Sequence, residues 1–242
     1  MITYTRYELL RTFRNRRFFM FSLGFPLVLY FVIAGANRNN HNFDGTGISV
    51  PLYYMIGLTA FGTMNTVLST GARISVERTA GWNRQLRLTP LSVRSYFRAK
   101  VITAYLTALI TIVVLYASGL SLGVHLADGE WARMTGLILV GLIPFIALGV
   151  LMGHLVTPDS IGPAMGGTTA LLALLGGVWF PVQSGTLHDI AQALPSYWLV
   201  QASHVSIGGG GWGTRGWVVM AAGTAILVVL AGWAYQRDTN RV

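Results

Sequence analysis

Long uncharged runs alternate along this chain with short segments that hold nearly all of its charge. From Phe18 to Asn37 no charged side chain occurs, and about 20 helical residues cross the roughly 30 Å hydrocarbon layer of a bilayer. The same pattern repeats, and predicts spans at about 18–36, 52–72, 101–122, 134–156, 163–180 and 217–235. Ahead of the first span, Tyr7, Leu10 and Phe13 recur at helical spacing among Arg6, Arg11, Arg14, Arg16 and Arg17. That is an amphipathic helix lying at the headgroups. Ala34-Gly35-Ala36 fits a signal-peptide cleavage pattern, but the five-arginine lead is long for such a peptide, so the segment reads as a retained span.

The second span differs from the first. Thr59, Thr63, Asn65, Thr66, Ser69 and Thr70 sit among Gly57, Gly62 and bulky apolar residues, and in lipid such groups should face protein or a cavity. Interhelical hydrogen bonds inside one bundle explain them as well as a substrate-lining or subunit-contact face does. The fifth span is expected to start near Pro163, after a tight turn over 157–162. The stretch 190–214 is almost uncharged, yet Gln192, Pro195, Gln201, His204 and the glycines 208–211 break it, so it reads as external or re-entrant structure. Trp179, Tyr197, Trp198, Trp212 and Trp217 fit an interfacial aromatic belt there.

Composition agrees with a membrane class: of 242 residues, 53% are hydrophobic and 10% charged. The net charge of +9 is concentrated, with fourteen of seventeen basic residues in Arg6–Arg17, Arg73–Lys100 and Arg237–Arg241. Each patch abuts an apolar run, so the charge orients the chain and meets anionic lipid headgroups rather than nucleic acid. With six spans, both termini and the 73–100 loop face the cytoplasm, leaving Arg38, Arg133 and Arg215 outside. Cysteine is absent, which excludes disulfides and thiolate metal sites.

Several motifs carry no chemistry in this context. Two G-x-G-x-x-G matches, Gly208-Gly210-Gly213 and Gly211-Gly213-Gly216, lack the preceding strand of a dinucleotide site. A phosphate loop needs Gly-Lys-Ser/Thr, and the only lysine stands in Ala99-Lys100-Val101, so ATP hydrolysis is expected elsewhere and no catalytic residue or metal site is assigned. The acids read as scattered, without a close pair, and the lone His154 and His204 as satisfied polar groups. The pairs Gly119/Gly123, Gly149/Gly153 and Gly162/Gly166 permit close helix contact without specifying function.

The basic loop carries the remaining signal. From Ala72 to Leu88 it can run as a helix, with Ile74, Trp82 and Leu86 offering apolar contacts among Arg78, Arg84 and Arg87. Thr89-Pro90 breaks the chain, and a second helix begins near Ser92. Trp82, Leu86 and Leu88 amid polar residues suggest docking onto a partner; a solvated, lipid-facing loop is the plainer reading.

Three elements then carry a family resemblance over nearly the full length. They are Arg14-Asn15-Arg16-Arg17 with Pro26; Glu77-Arg78-x-x-Gly81 followed by Leu86-Arg87-x-Thr89-Pro90-Leu91-Ser92; and Gly177-Val178-Trp179-Phe180-Pro181 followed by Leu194-Pro195. The chain resembles the membrane subunit of an ABC-2 type ABC transporter, similar to bacterial drug and antibiotic export permeases. The resemblance implies an all-α integral membrane fold in one domain over 1–242, with a cytoplasmic coupling helix at about 75–88 and external helices at 183–204. It implies two ATP-binding subunits as partners, with ATP and Mg bound there and no cofactor here, and a homodimer or a pairing with a similar permease in the bacterial cell membrane. Glu77, Gly81 and Trp82 match the coupling motif, with Arg78, Arg84, Leu86 and Arg87 beside them. Ser203-His204 stands where many relatives carry an arginine. Candidate path residues are Met55, Phe61, Met64 and Asn65 on the second span, and Met165 and Trp179 on the fifth. The cargo expected is a hydrophobic or amphiphilic compound; a polysaccharide or glycolipid exporter, an ion-coupled carrier and a membrane sensor are the competing readings.

Overall fold

A computed structural model describes residues 2–43, 47–81, 85, 92–180, 182, 184–204 and 211–239. Among them every regular element is helical. In chain order these are α1 (Ile2–Phe13), α2 (Arg16–Phe19), a π-helical turn (Met20–Gly24), α3 (Phe25–Ala36), α4 (Val50–Ala72), α5 (Ile74–Thr79) and α6 (Val93–Ser121). They continue with α7 (Asp128–Gly141), α8 (Ile143–Leu155), α9 (Pro158–Gly176), α10 (Thr186–Gln192), α11 (Pro195–His204) and α12 (Thr214–Thr239). Among the described residues three stretches are long and apolar enough to cross a bilayer: Val93–Ser121, Asp128–Leu155 and Thr214–Asp238, with Met20–Ala36 a shorter apolar helix.

The bundle is wrapped around α4, which packs against α6, α8, α3, α11 and α9. Leu52, Asn65 and Ser69 are the α4 residues that are not buried. This burial explains why α4 tolerates its polar content. Thr59, Thr63, Thr66 and Thr70 each donate to a backbone carbonyl one turn earlier, at 2.6–2.9 Å, so no hydroxyl there needs a distant partner. Thr66 also meets the Thr111 hydroxyl of α6 at 3.4 Å.

Glycines let two helices approach closely. A Cβ on Gly71 would lie 2.4 Å from the Gly149 carbonyl carbon, and one on Gly153 would lie 2.6 Å from the Gly71 oxygen. Here α4 and α8 touch backbone to backbone, as small residues permit in membranes. The Gly162/Gly166 pair differs, since nothing lies within 4 Å of either added Cβ.

Prolines explain the irregular helices. Pro26 has no N–H to offer the Ser22 carbonyl, and the preceding turn widens, with the Phe25 N–H reaching the Met20 oxygen. Pro144 in the first turn of α8 follows the break at Leu142 that divides Asp128–Leu155 in two. The expected start of a helix near Pro163 is corrected: Pro158 occupies the first turn of α9, and Pro163 lies inside the helix with an exposed side chain.

At the far end of α9, Gly177 adopts φ +78° and the Val178 N–H bonds the Ala173 oxygen at 3.0 Å, a Schellman stop. The turn docks on α4, because the Tyr53 hydroxyl donates to the Gly177 oxygen at 2.9 Å. Beyond it, α10 and α11 fold back into the bundle against α7, α9 and α12. The aromatic-belt expectation is corrected for Tyr197 and Trp212, which are buried. The Trp212 indole N–H donates to the Trp198 carbonyl at 2.7 Å, and the Trp198 indole N–H to the Gln192 carbonyl at 2.8 Å. Internal partners, not headgroup water, satisfy these rings, while Trp217 stays half exposed.

Candidate functional site

The opposite end of the bundle gathers the charge. A helix start at Ile74 follows the end of α4 at Arg73, and α5 stops after Thr79 because Gly81 takes φ +68°, a conformation L side chains rarely adopt. The continuous helix expected over 72–88 is therefore a six-residue helix among the described residues. The Gln85 N–H then donates to the Gly81 oxygen at 3.1 Å, which begins a further turn. Trp82, Arg84, Leu86 and Arg87 lie outside the described residues.

Glu77 is buried at 1% exposure and accepts three bonds. Its Oε1 receives the Lys100 ammonium at 2.6 Å and the Arg11 guanidinium at 2.9 Å; its Oε2 receives the Tyr96 hydroxyl at 2.6 Å. Lys100, itself 2% exposed, also holds Glu8 Oε1 at 2.5 Å. One ammonium thus ties α1 and α5 to α6. Arg73 closes the cluster by donating to Thr12 Oγ1 at 2.8 Å, with its guanidinium 5.4 Å from the Phe18 ring centroid. The acids are accordingly not scattered, since Glu8 and Glu77 share one cation. Charges this deep are held only when paired and hydrogen-bonded.

On its other side α5 is gripped by Arg78. Its Nε pairs with Asp238 Oδ2 of α12 at 3.0 Å, and its Nη1 donates to the carbonyls of Gly153, at 3.3 Å, and His154. The His154 Nδ1 meets the same Asp238 oxygen at 3.0 Å. With Ile74, Ser75 and Glu77 inward, α5 shows solvent the side chains of Val76 and Thr79 and the following Ala80. It is a short helix fixed on two flanks with one apolar-polar face open.

The candidate path residues separate. Met55 and Met64 are core, with the Met55 sulfur seated where a Cβ on Gly119 would fall, 2.2 Å away. Phe61 and Trp179 come together, their ring centroids 5.7 Å apart. Asn65 is partly exposed and its amide reaches the Phe21 carbonyl at 3.4 Å; Met165 is half-buried on α9. The ion cluster was missed in the sequence, where its one trace is unpaired charge beside apolar runs, a lone lysine and the lone acid of a basic loop.

A helical bundle with long apolar helices and its basic segments drawn to one end defines a polytopic membrane protein. A family model described as "ABC-2 family transporter protein" matches residues 39–233. YvfS of Bacillus subtilis (strain 168), a protein named as a transport permease, is 32% identical over 201 residues, which is 78% of each chain. The chain belongs to the ABC-2 transporter family and is a membrane permease of an ABC transporter. Membership implies pairing with an ATP-binding subunit.

Proposed function

We propose that this chain is one half of an ATP-driven exporter, working as a homodimer or beside a similar permease, with two ATP-binding subunits that hold ATP and Mg and do the hydrolysis. Six stretches, at about 18–36, 52–72, 101–122, 134–156, 158–176 and 217–235, span the bacterial cell membrane as one domain, with both termini in the cytoplasm. Convergence of Arg11, Arg73, Arg78, Lys100 and Arg237 at one end of the bundle supports that orientation.

One observation carries the reading: α5 exposes Val76, Thr79 and Ala80 while Glu77 and Arg78 bolt it to α1, α6, α8 and α12. A push on the exposed face is thereby passed to four helices, because the contacts of Glu77 and Arg78 tie α5 to each of them. Glu77 and Arg78 position the coupling helix; Val76, Thr79, Gly81 and the adjoining Trp82, Arg84, Leu86 and Arg87 meet the ATP-binding subunit. The cargo, a hydrophobic or amphiphilic compound, passes beside Phe61, Asn65 and Trp179. The test replaces Val76 by Asp, and separately Trp82 and Leu86 by Asp. Co-purification of the ATP-binding subunit and compound-stimulated ATP hydrolysis are both expected to be lost. If both survive, the coupling assignment is wrong.

A further inference from the structure

Between α1 and α5 lies a cleft of about 760 Å³ whose lining shares only Val76, at its edge, with the coupling face. Arg11, Arg14 and Arg73 line it together with Asn15, and Tyr7, Leu10 and Val76 form its apolar part. Counting the cluster behind it, four cations (Arg11, Arg14, Arg73, Lys100) face two carboxylates, Glu8 and Glu77, both already held by Lys100. Among the described residues neither Arg14 nor Arg73 makes a salt bridge. Arg73 is moreover held below its ordinary pKa, first by burial and next, in the opposite sense, by the field of Glu8. Two positive charges are left facing an open cleft, one of them partly desolvated.

We propose that this cleft binds the phosphate headgroup of an anionic phospholipid. Guanidinium forks match phosphate oxygens in pairs, which a chloride or a single carboxylate would not exploit as fully. The apolar surroundings select a lipid over a free phosphate. Tyr7 is 67% and Leu10 46% exposed, and the uncovered surface continues along the chain through Phe13, Met20, Phe21 and Phe25. That strip offers acyl chains a path from the cleft up the outside of α3. The lipid then bridges α1 to α5 from the outside, as Lys100 does from within. The proposal rests on the functional reading only in placing this end of the bundle at the inner leaflet.

The experiment is native mass spectrometry on the purified full chain, titrated with palmitoyl-oleoyl phosphatidylglycerol, palmitoyl-oleoyl phosphatidylcholine or sodium phosphate. The wild type is expected to retain phosphatidylglycerol about tenfold more tightly than phosphatidylcholine. The variant R14Q/R73Q should lose roughly thirtyfold, about fivefold per arginine. The charge-matched control R98Q/R237Q should stay within about threefold of wild type. Should R14Q/R73Q not elute as a single species, Arg14→Gln alone, an exposed position, should still lose about fivefold. Equal losses in both double variants, or equal retention of the two lipids, would overturn the site. Displacement of the lipid by millimolar phosphate would assign the cleft to the free ion instead. Unchanged phosphatidylglycerol retention in R14Q/R73Q would likewise overturn it. Lipid retention is read without ATP-binding subunits, so failure of the coupling assignment leaves this measurement standing.

Discussion

Lys100→Met removes the one ammonium that holds Glu8 and Glu77. Those carboxylates are 4% and 1% exposed, so after the substitution two buried anions face each other with Arg11 and Tyr96 left to hold Glu77. Breaking a buried pair from one side costs about 3–5 kcal/mol, because the surviving charge stays out of water. For a chain of this length that is a fall of roughly 6–20 °C in Tm. The effect should be partly reversed by Glu8→Gln in the same chain, since Lys100 is the ion-pair partner of Glu8 whereas Glu77 keeps Arg11 and Tyr96. A coupling energy of about 1.5–3 kcal/mol between the two substitutions is expected. The assay is tryptophan-detected thermal unfolding in detergent, with the seven native tryptophans as reporters. Equal Tm for K100M and wild type, or no gain in E8Q/K100M over K100M, would refute the ion-cluster argument.

Two further substitutions probe the packing. Gly149→Leu forces a side chain into the Leu68 carbonyl, 2.7 Å from the added Cβ, and should cost about 3 kcal/mol or prevent assembly of α4 on α8; Gly162→Leu, with open space around it, should fold normally, and size-exclusion profiles of the two compare them directly. Trp212→Phe keeps the aromatic body but leaves the Trp198 carbonyl without its donor, for an expected loss of about 1–2 kcal/mol in the same unfolding assay.

Local features of the fold were legible because local chemistry decides them. Pro51 in the first turn of α4 follows from the backbone constraint of one residue. The stops at Gly81 and Gly177 are equally local, yet the expected helices ran through both, to 88 and to 180, because a glycine inside an apolar or basic run does not announce a positive φ. Pro163 misled as well, since a proline looks like a helix start until a better-placed one, Pro158, precedes it. The ion cluster was illegible because Glu8, Glu77 and Lys100 stand on three helices far apart in the chain, and no periodicity links them. The aromatic belt failed at Tyr197 and Trp212 because composition cannot tell a ring at the headgroups from one whose N–H finds a carbonyl across the bundle. Polar α4 was ambiguous in sequence, and spacing alone could not show that four of its threonines bond carbonyls of their own helix rather than groups on a neighbour.

The most direct test of the account asks which side of the membrane sees α5, and what touches it there. The chain contains no cysteine, so Val76→Cys places a single thiol at a position 45% exposed. The account predicts labelling by a membrane-impermeant maleimide in inside-out vesicles but not in intact cells, and protection when the ATP-binding subunit is bound. Labelling from outside intact cells, or labelling inside that the bound subunit leaves unchanged, would contradict it.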